Sequence, residues 1–183
     1  MKRPVLFLIV ALGACLAQDQ TQGPTYEQTQ KWIESKISEA GKVWKSAVGD
    51  SDNTIFSYEK VSMNNCRLLY TEVQFMHGGG YIPDRTIKSE WNVPLNKISD
   101  ITVKHVQVKA LADDWEIRFA APVTGKETRT DRGIVGETTK NIELPSGSIA
   151  FGRSPNTDED TANRMQKALS HAVDLCKKIK EPF

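Results

Sequence analysis

The chain contains few of the residues that catalytic sites require. Among its 183 residues there are three cysteines and three histidines. His77, His105 and His171 have no regular spacing, and no serine stands in a Gly-x-Ser-x-Gly motif. The glycines after His77 are not followed by the Gly-Lys-Ser/Thr of a phosphate-binding loop. The sequence therefore predicts no catalytic residue and no cofactor.

Metal-binding patterns are also lacking. The stretch that opens with Asp50 and Asp52 has Ile55 and Val61 where a calcium loop needs Gly and Glu. Asp158–Asp160 begins a predicted helix, where exposed amides and the helix dipole stabilise acidic side chains. The sequence therefore predicts no metal ligand.

Neither sign of charge is in excess. The chain has 24 Lys and Arg residues against 23 Asp and Glu residues, and the loss of Lys2 and Arg3 with a leader peptide would leave the two signs balanced. A protein that binds nucleic acid normally carries a basic patch or a clear surplus of positive charge. A nucleic-acid partner is therefore not predicted, and the partner is expected to be another protein or a small ligand.

No hydrophobic run is long enough to cross a bilayer. The longest run, Pro4–Leu12, is far shorter than the ~20 apolar residues that a membrane span needs. It follows Lys2 and Arg3 and precedes the small-residue stretch Gly13–Ala17, which is the layout of an export signal. The sequence predicts a signal peptide over residues 1–17 and a disordered tail over residues 18–24.

Two forms of the exported protein remain open. A signal peptidase could cut after Ala17 and release a soluble protein, because Cys15 and Ala17 are small residues at the positions it recognises. Alternatively, Leu12–Cys15 resembles a bacterial lipobox, in which Cys15 would be lipidated and anchor the chain. Either form places the protein in the periplasm or on the outer surface.

Two cysteines, Cys66 and Cys176, remain after removal of the signal peptide. An even pair in an exported chain favours a disulfide, because that compartment is oxidising. The alternative is a pair of buried free thiols that pack as small hydrophobic groups. If the last helix packs across the strands, the two residues can come within disulfide range.

The residues that are plentiful indicate two amphipathic helices. A C-terminal helix is predicted over residues 157–180, because its apolar residues fall within an arc of about 120°. These residues are Ala162, Met165, Leu169, Ala172, Val173, Cys176 and Ile179. A second helix is predicted over residues 25–45, starting with a capping box at Thr25 and Gln28. Its polar face is mixed in charge, so we expect it to dock onto its own domain.

The region between the helices is predicted to be a set of short strands. Ile55–Met63 and Cys66–Phe75 form a hairpin around Asn64-Asn65. Further strands are expected near Ile87–Val93, Ile101–Val108 and Trp115–Phe119.

The segment 122–140 is predicted to be a long loop. It is polar and rich in Gly and Thr, and such loops are often functional. Lys126, Arg129 and Arg132 are its candidate anion contacts. Two short strands, Ile142–Leu144 and Ile149–Phe151, are expected after it, joined at Pro145.

The fold class that these elements predict is α+β. About seven antiparallel strands are expected to form a bent barrel or sandwich over residues 53–183, capped by the long C-terminal helix and preceded by the extra N-terminal helix. The passage Val93–Ile101, with Pro-Leu between two strands, resembles the pleckstrin-homology-like superfold and its GRAM-like members. Together with Thr25–Ile37, Asn65–Leu68 and Ala168–Cys176, it also resembles a group of uncharacterised exported bacterial proteins.

That resemblance implies a fold and no activity. Pleckstrin-homology-like domains often bind phosphoinositides through basic residues after their first strand. Here that position is Met63–Cys66, with only Lys60 and Arg67 nearby, so the lipid role does not carry over.

Two functions are consistent with the sequence. The first is a non-enzymatic binding or adaptor domain of the bacterial envelope, whose contacts come from the loops around Gly78–Pro83 and Gly125–Gly136. The second is a small hydrolase or lipid-handling enzyme whose site is assembled only in three dimensions. A buried acid or histidine facing a pocket would favour the enzyme, and the sequence favours the binding domain.

Overall fold

The protein is described by a computed structural model that covers residues 23–45, 53–78, 83–108, 112–133, 136–151 and 159–178. The predicted signal peptide and Cys15 lie outside the described residues. In chain order the elements are α1 (Tyr26–Glu39), β1 (Gly41–Lys45), β2 (Asn53–Asn64), β3 (Arg67–Met76), β4 (Arg85–Pro94), a short 3-10 turn (Leu95–Lys97), β5 (Asp100–Val108), β6 (Ala112–Asp131), β7 (Glu137–Phe151) and α2 (Glu159–Lys178). Within these ranges the fold is α+β, with six long strands, the short β1 and two helices.

Helix α1 begins as the sequence predicts and ends earlier. The Thr25 hydroxyl accepts a hydrogen bond from the Gln28 amide at 3.2 Å, and the Gln28 side chain accepts one from the Thr25 amide at 2.9 Å. The helix stops at Glu39, whereas the prediction extended it to residue 45. Gly41 has a φ of 149°, which a helix does not tolerate, and the chain from Gly41 pairs with β2 as a strand.

The strands form one curled sheet in the order β4-β3-β2-β1-β7-β6-β5. All strand pairs are antiparallel except β1 with β7, which meet at the single pair Gly41 and Phe151. The first half of β6 pairs with β5, and its second half pairs with β4. Strands β4 and β5 therefore follow one another along the same side of β6. The chain passes between them through the Pro-Leu turn that the sequence singled out.

The predicted loop over residues 122–140 is wrong, because most of this segment is strand. β6 and β7 pair from Trp115 with Phe151 to Thr130 with Glu137, and the register shifts once, between Ala120 and Val123. The two short strands expected around Pro145 are likewise one strand, β7. Threonine is a good strand former, so a polar Thr-rich segment can form a long hairpin whose outer positions face water.

Helix α2 covers the core with the predicted apolar stripe. All six of the predicted stripe residues that the structure describes are buried: Ala162, Met165, Leu169, Ala172, Val173 and Cys176. Next to this stripe, Gln166 donates a hydrogen bond from Nε2 to the Ile101 carbonyl of β5 at 2.7 Å. Neither of the two described helices combines the length and the apolar character needed to cross a membrane.

Helix α1 is fixed to the sheet by both apolar and polar contacts. Ile33 and Ile37 are fully buried in the same core as α2. Oε1 of Glu34 accepts a hydrogen bond from the Met63 amide of β2 at 2.5 Å and another from Nε2 of Gln30 at 2.9 Å. The helix therefore docks onto its own domain, as its mixed polar face indicated.

The predicted cysteine pair meets at the hairpin turn. Cys66 and Cys176 are joined by a disulfide, with their Cα atoms 5.6 Å apart. The turn residues are Asn65 and Cys66, one position later than predicted, with φ values of 46° and 56°. Two successive positive φ values are those of a type I′ turn. The Cys66 carbonyl accepts a hydrogen bond from the Leu95 amide at 2.8 Å, which ties this turn to the Pro-Leu turn.

Candidate functional site

The candidate site with the most apolar wall is a groove of about 530 Å³ between α1 and α2. This interhelical groove is lined from α1 by Gln28, Thr29 and Trp32, and from α2 by Arg164, Lys167 and His171. Ala168 and Pro24 complete its wall. Its volume lies within the range of small-molecule pockets, which are typically ~300–1,000 Å³.

Helical spacing brings these side chains to one surface. Gln28 and Trp32 are four residues apart on α1, while Arg164, Lys167 and His171 follow one another at steps of three and four on α2. Residues at this spacing lie on the same face of a helix. Both helices turn their apolar stripes toward the sheet, so the groove lies along the flanks where the two helices meet.

A buried hydroxyl without a partner lies beneath the groove. Thr29 is 5% exposed, and its Oγ1 is closed off from the surface and has no hydrogen-bond partner among the described residues. Burying a hydroxyl without a hydrogen bond costs roughly 1–3 kcal/mol. A ligand in the groove does not reach this oxygen.

The basic groups of the groove are held in place in different ways. The Arg164 guanidinium lies over the Trp32 ring, 5.6 Å from its centroid, and its contact with Asp160 is long at 3.8 Å. His171 has Nε2 at 3.0 Å from the Pro24 carbonyl oxygen, so this nitrogen carries the proton and donates it. Arg164 is therefore placed at the edge of an aromatic surface with its charge only partly compensated.

The predicted anion-contact residues are not gathered at one place. Arg129 donates hydrogen bonds to the carboxylate of Asp131, the shortest at 2.7 Å, and Arg132 contacts Asp84 at 3.0 Å. Lys126 lies three residues from Arg129 along β6 and therefore on the opposite face of the sheet. Contact of these residues with an anion stays a prediction.

The two hairpin ends that the sequence proposed as contact loops do approach one another. The Arg132 amide donates a hydrogen bond to the Asp84 carbonyl at 2.8 Å, and Nδ1 of His77 lies 2.9 Å from Oδ1 of Asp84. Residues 79–82 between them lie outside the described residues. Hydrogen bonds from the Gly78 amide and the Arg132 side chain lower the pKa of Asp84. The Asp84 carboxylate is therefore already paired with groups of the two hairpins, the Gly78 amide and the Arg132 side chain.

Two further cavities lie on the sheet. The larger, about 750 Å³, crosses five strands and is bordered by charged residues of both signs, including Lys60, Glu90 and Lys126. The smaller, about 330 Å³, contains Glu116, which is 8% exposed. Arg118 donates to Oε2 of Glu116 from Nε at 3.1 Å and from Nη2 at 3.0 Å. The one buried acid that lines a cavity in the described part of the chain is therefore ion-paired.

A metal centre has no support in the part of the chain that the structure describes. No group of three or more His, Cys, Asp or Glu side chains there could hold a metal ion.

The interhelical groove was not predicted from the sequence. No role was predicted for His171, and Trp32, Arg164 and Lys167 were not among the predicted site residues. A signal was present, because three basic residues at helical spacing follow one flank of a strongly amphipathic helix. The sequence does not show that α1 lies beside that flank.

Neither a protein-family model, nor a curated protein, nor a solved structure matches this chain significantly. What the fold defines is an α+β domain in which a curled antiparallel sheet is covered by two helices, with a groove between them.

Proposed function

We propose that this protein is a non-enzymatic binding domain of the bacterial envelope and that the interhelical groove is its ligand site. The observation that carries the proposal is the groove itself, which has the size of a small-molecule site, an aromatic wall and a basic edge. Pockets of this composition are the usual form of ligand sites. The groove replaces the hairpin loops as the expected place of contact.

Native mass spectrometry of protein purified from the envelope tests this function. We expect a retained ligand that is lost in Ala168→Phe, because the larger side chain fills the groove. Ser170→Phe is the matched control, since Ser170 is exposed on α2 and does not line the groove. Retention that survives Ala168→Phe in a folded protein would place the ligand elsewhere and contradict the proposal.

We further propose that the protein is exported and that its fold is pleckstrin-homology-like. Export is supported by the leader layout of residues 1–17 and by the disulfide, which suits an oxidising compartment. The fold is supported by the succession of strands β1 to β7 and a C-terminal helix. Intact-mass analysis should find a chain that starts at Gln18 or a lipidated Cys15. A chain that retains Lys2 and Arg3 would contradict export.

A second candidate function is a small hydrolase or lipid-handling enzyme. It is favoured by Glu116, a buried acid that lines a cavity together with Ser146 and Ser148. The ion pair with Arg118 argues against it, because the guanidinium already occupies the carboxylate that would have to act on a substrate. An ester substrate panel tests this alternative. Hydrolysis that disappears in Glu116→Gln, with the fold retained, would favour the enzyme.

A further inference from the structure

We propose that the ligand of the interhelical groove is a long-chain carboxylate, whose chain lies on Trp32 and Ala168 and whose carboxylate contacts Arg164 and Lys167. This inference rests on the proposed function and adds the chemical class of the ligand. The argument has two parts: the apolar wall and the basic edge.

The wall of the groove suits a hydrocarbon chain. Trp32 is half-buried, Ala168 is packed against the core, and Pro24 adds an apolar ring at the end of the groove. A polar ligand such as a sugar would leave its hydroxyl groups against these surfaces without partners. A chain of methylene groups has no polar group to leave unpaired there, and its transfer out of water is favourable.

The edge of the groove suits a carboxylate. Arg164, Lys167 and His171 line it, and the other described lining residues carry no charge. The nearest acid with a recorded contact is Asp160, at 3.8 Å from Arg164. A guanidinium presents two parallel N–H groups that match the two oxygens of a carboxylate. Lys167 follows Arg164 by three residues, which is a rise of about 4.5 Å along the helix axis. Both cations can therefore contact one head group.

The test uses laurate, dodecanol and dodecyltrimethylammonium, three probes with the same chain length and different head-group charge, each below its micelle concentration. Binding to the purified oxidised protein is followed by calorimetry and by tryptophan emission. We expect laurate to bind most tightly and the cationic probe least tightly. Affinity for laurate should also fall from about 10 mM to about 150 mM salt, because the screening length shortens from about 30 Å to about 8 Å.

Charge variants identify the head-group site. Arg164→Gln with Lys167→Gln should weaken laurate binding by roughly tenfold or more, because charge-assisted hydrogen bonds are lost. Lys177→Gln with Lys178→Gln is the matched control, since it removes the same charge from the exposed end of α2. Trp32→Phe should abolish the emission change on addition of laurate, which assigns the signal to the groove.

The outcomes separate this inference from the proposed function. Equal binding of laurate and dodecanol, or an unchanged affinity in the Arg164 and Lys167 variant, would overturn the carboxylate assignment. If none of the probes binds while the native protein retains another ligand that Ala168→Phe removes, the carboxylate assignment is overturned and the binding function stands. Binding of an acidic protein helix in place of the probes would likewise overturn it.

Discussion

Cys66, on the turn between β2 and β3, is bonded to Cys176, on the buried face of α2, with 5.6 Å between their Cα atoms. The Cys66 carbonyl also accepts a hydrogen bond from the Leu95 amide at 2.8 Å. Three parts of the chain therefore meet at Cys66: the hairpin, the turn between β4 and β5, and the last helix. The bond spans 110 residues of sequence. The disulfide therefore fixes α2, which covers the core, to the hairpin of β2 and β3.

Replacing either cysteine of the disulfide should lower the free energy of unfolding by the same amount. Cys66→Ser and Cys176→Ser each remove the same constraint on the unfolded chain, for which the loop-entropy model gives about 4–5 kcal/mol as an upper figure. Urea unfolding of both variants and of the double variant should give nearly equal midpoints. Reduced wild-type protein is the control and should unfold with them. A much smaller loss for one single variant would contradict the shared origin.

Glycine should be better than serine at position 66 once the disulfide is gone. Cys66 has a φ of 56°, a conformation that costs a residue with a Cβ roughly 1–2 kcal/mol. In a Cys176→Ser background, Cys66→Gly should therefore be more stable than Cys66→Ser by up to about 1 kcal/mol, after the greater freedom of glycine in the unfolded chain is counted. Thermal unfolding of the two double variants measures this difference. A serine variant of equal stability would argue against the left-handed turn.

A side chain at position 125 should destabilise the long hairpin. A Cβ on Gly125 would lie 2.6 Å from Cε3 of Trp91 and 2.8 Å from the carbonyl oxygen of Glu90. The ring can shift but the backbone oxygen cannot, so Gly125→Ala should cost roughly 1–3 kcal/mol. Gly23→Ala is the control, because open space surrounds that position and little change is expected. Equal midpoints for the two variants in urea unfolding would show that Trp91 does not lie across Gly125.

High pH should unfold the protein through its buried tyrosines. Burial raises the pKa of Tyr58 far above its usual value, and the charges of Glu72, Glu116 and Asp114 add to the effect; burial likewise raises the pKa of Tyr70. In the unfolded chain both titrate near pH 10. Because the folded pKa is the higher one, the stability that neutral tyrosine provides is complete below about pH 10 and is lost as pH rises above it.

The measurement is a spectrophotometric tyrosine titration alongside circular dichroism. Tyr58 and Tyr70 should ionise only as the fold is lost, whereas urea-unfolded protein should titrate its tyrosines near pH 10. Tyr58→Phe should cost about 1–3 kcal/mol at neutral pH, because the Tyr58 hydroxyl accepts a hydrogen bond from the buried Ala150 amide at 2.8 Å. In the Tyr58→Phe variant stability should fall less steeply at high pH. Ionisation of both tyrosines in the intact fold would contradict the burial.

Several features of this protein are set by its local sequence. The six buried positions of α2 follow from a period of 3.6 residues, and the start of α1 follows from the reach of the Thr25 and Gln28 side chains to nearby amides. Such features depend on neighbours a few residues away, so their pattern is visible in the chain itself. The cysteine pair was also predictable, because only two cysteines lie outside the predicted signal peptide.

Other features were decided only by tertiary structure. In the outer part of the hairpin of β6 and β7, from Thr124 to Leu144, most described positions are exposed and polar. These residues give no hydrophobic alternation, and this part of each strand is defined by pairing with β4 and with the other strand. Strand β1 exists because Gly41 lets the chain leave α1 and pair with β2. Arg132 is paired with Asp84, an acid 48 residues away that only strand pairing brings near, whereas Arg129 is paired with its neighbour Asp131 on the same strand. The groove depends on Trp32 and Arg164, which are 132 positions apart in the sequence and lie side by side once the core is packed. Local periodicity determines which face of each helix is apolar. It does not determine which helix lies next to it.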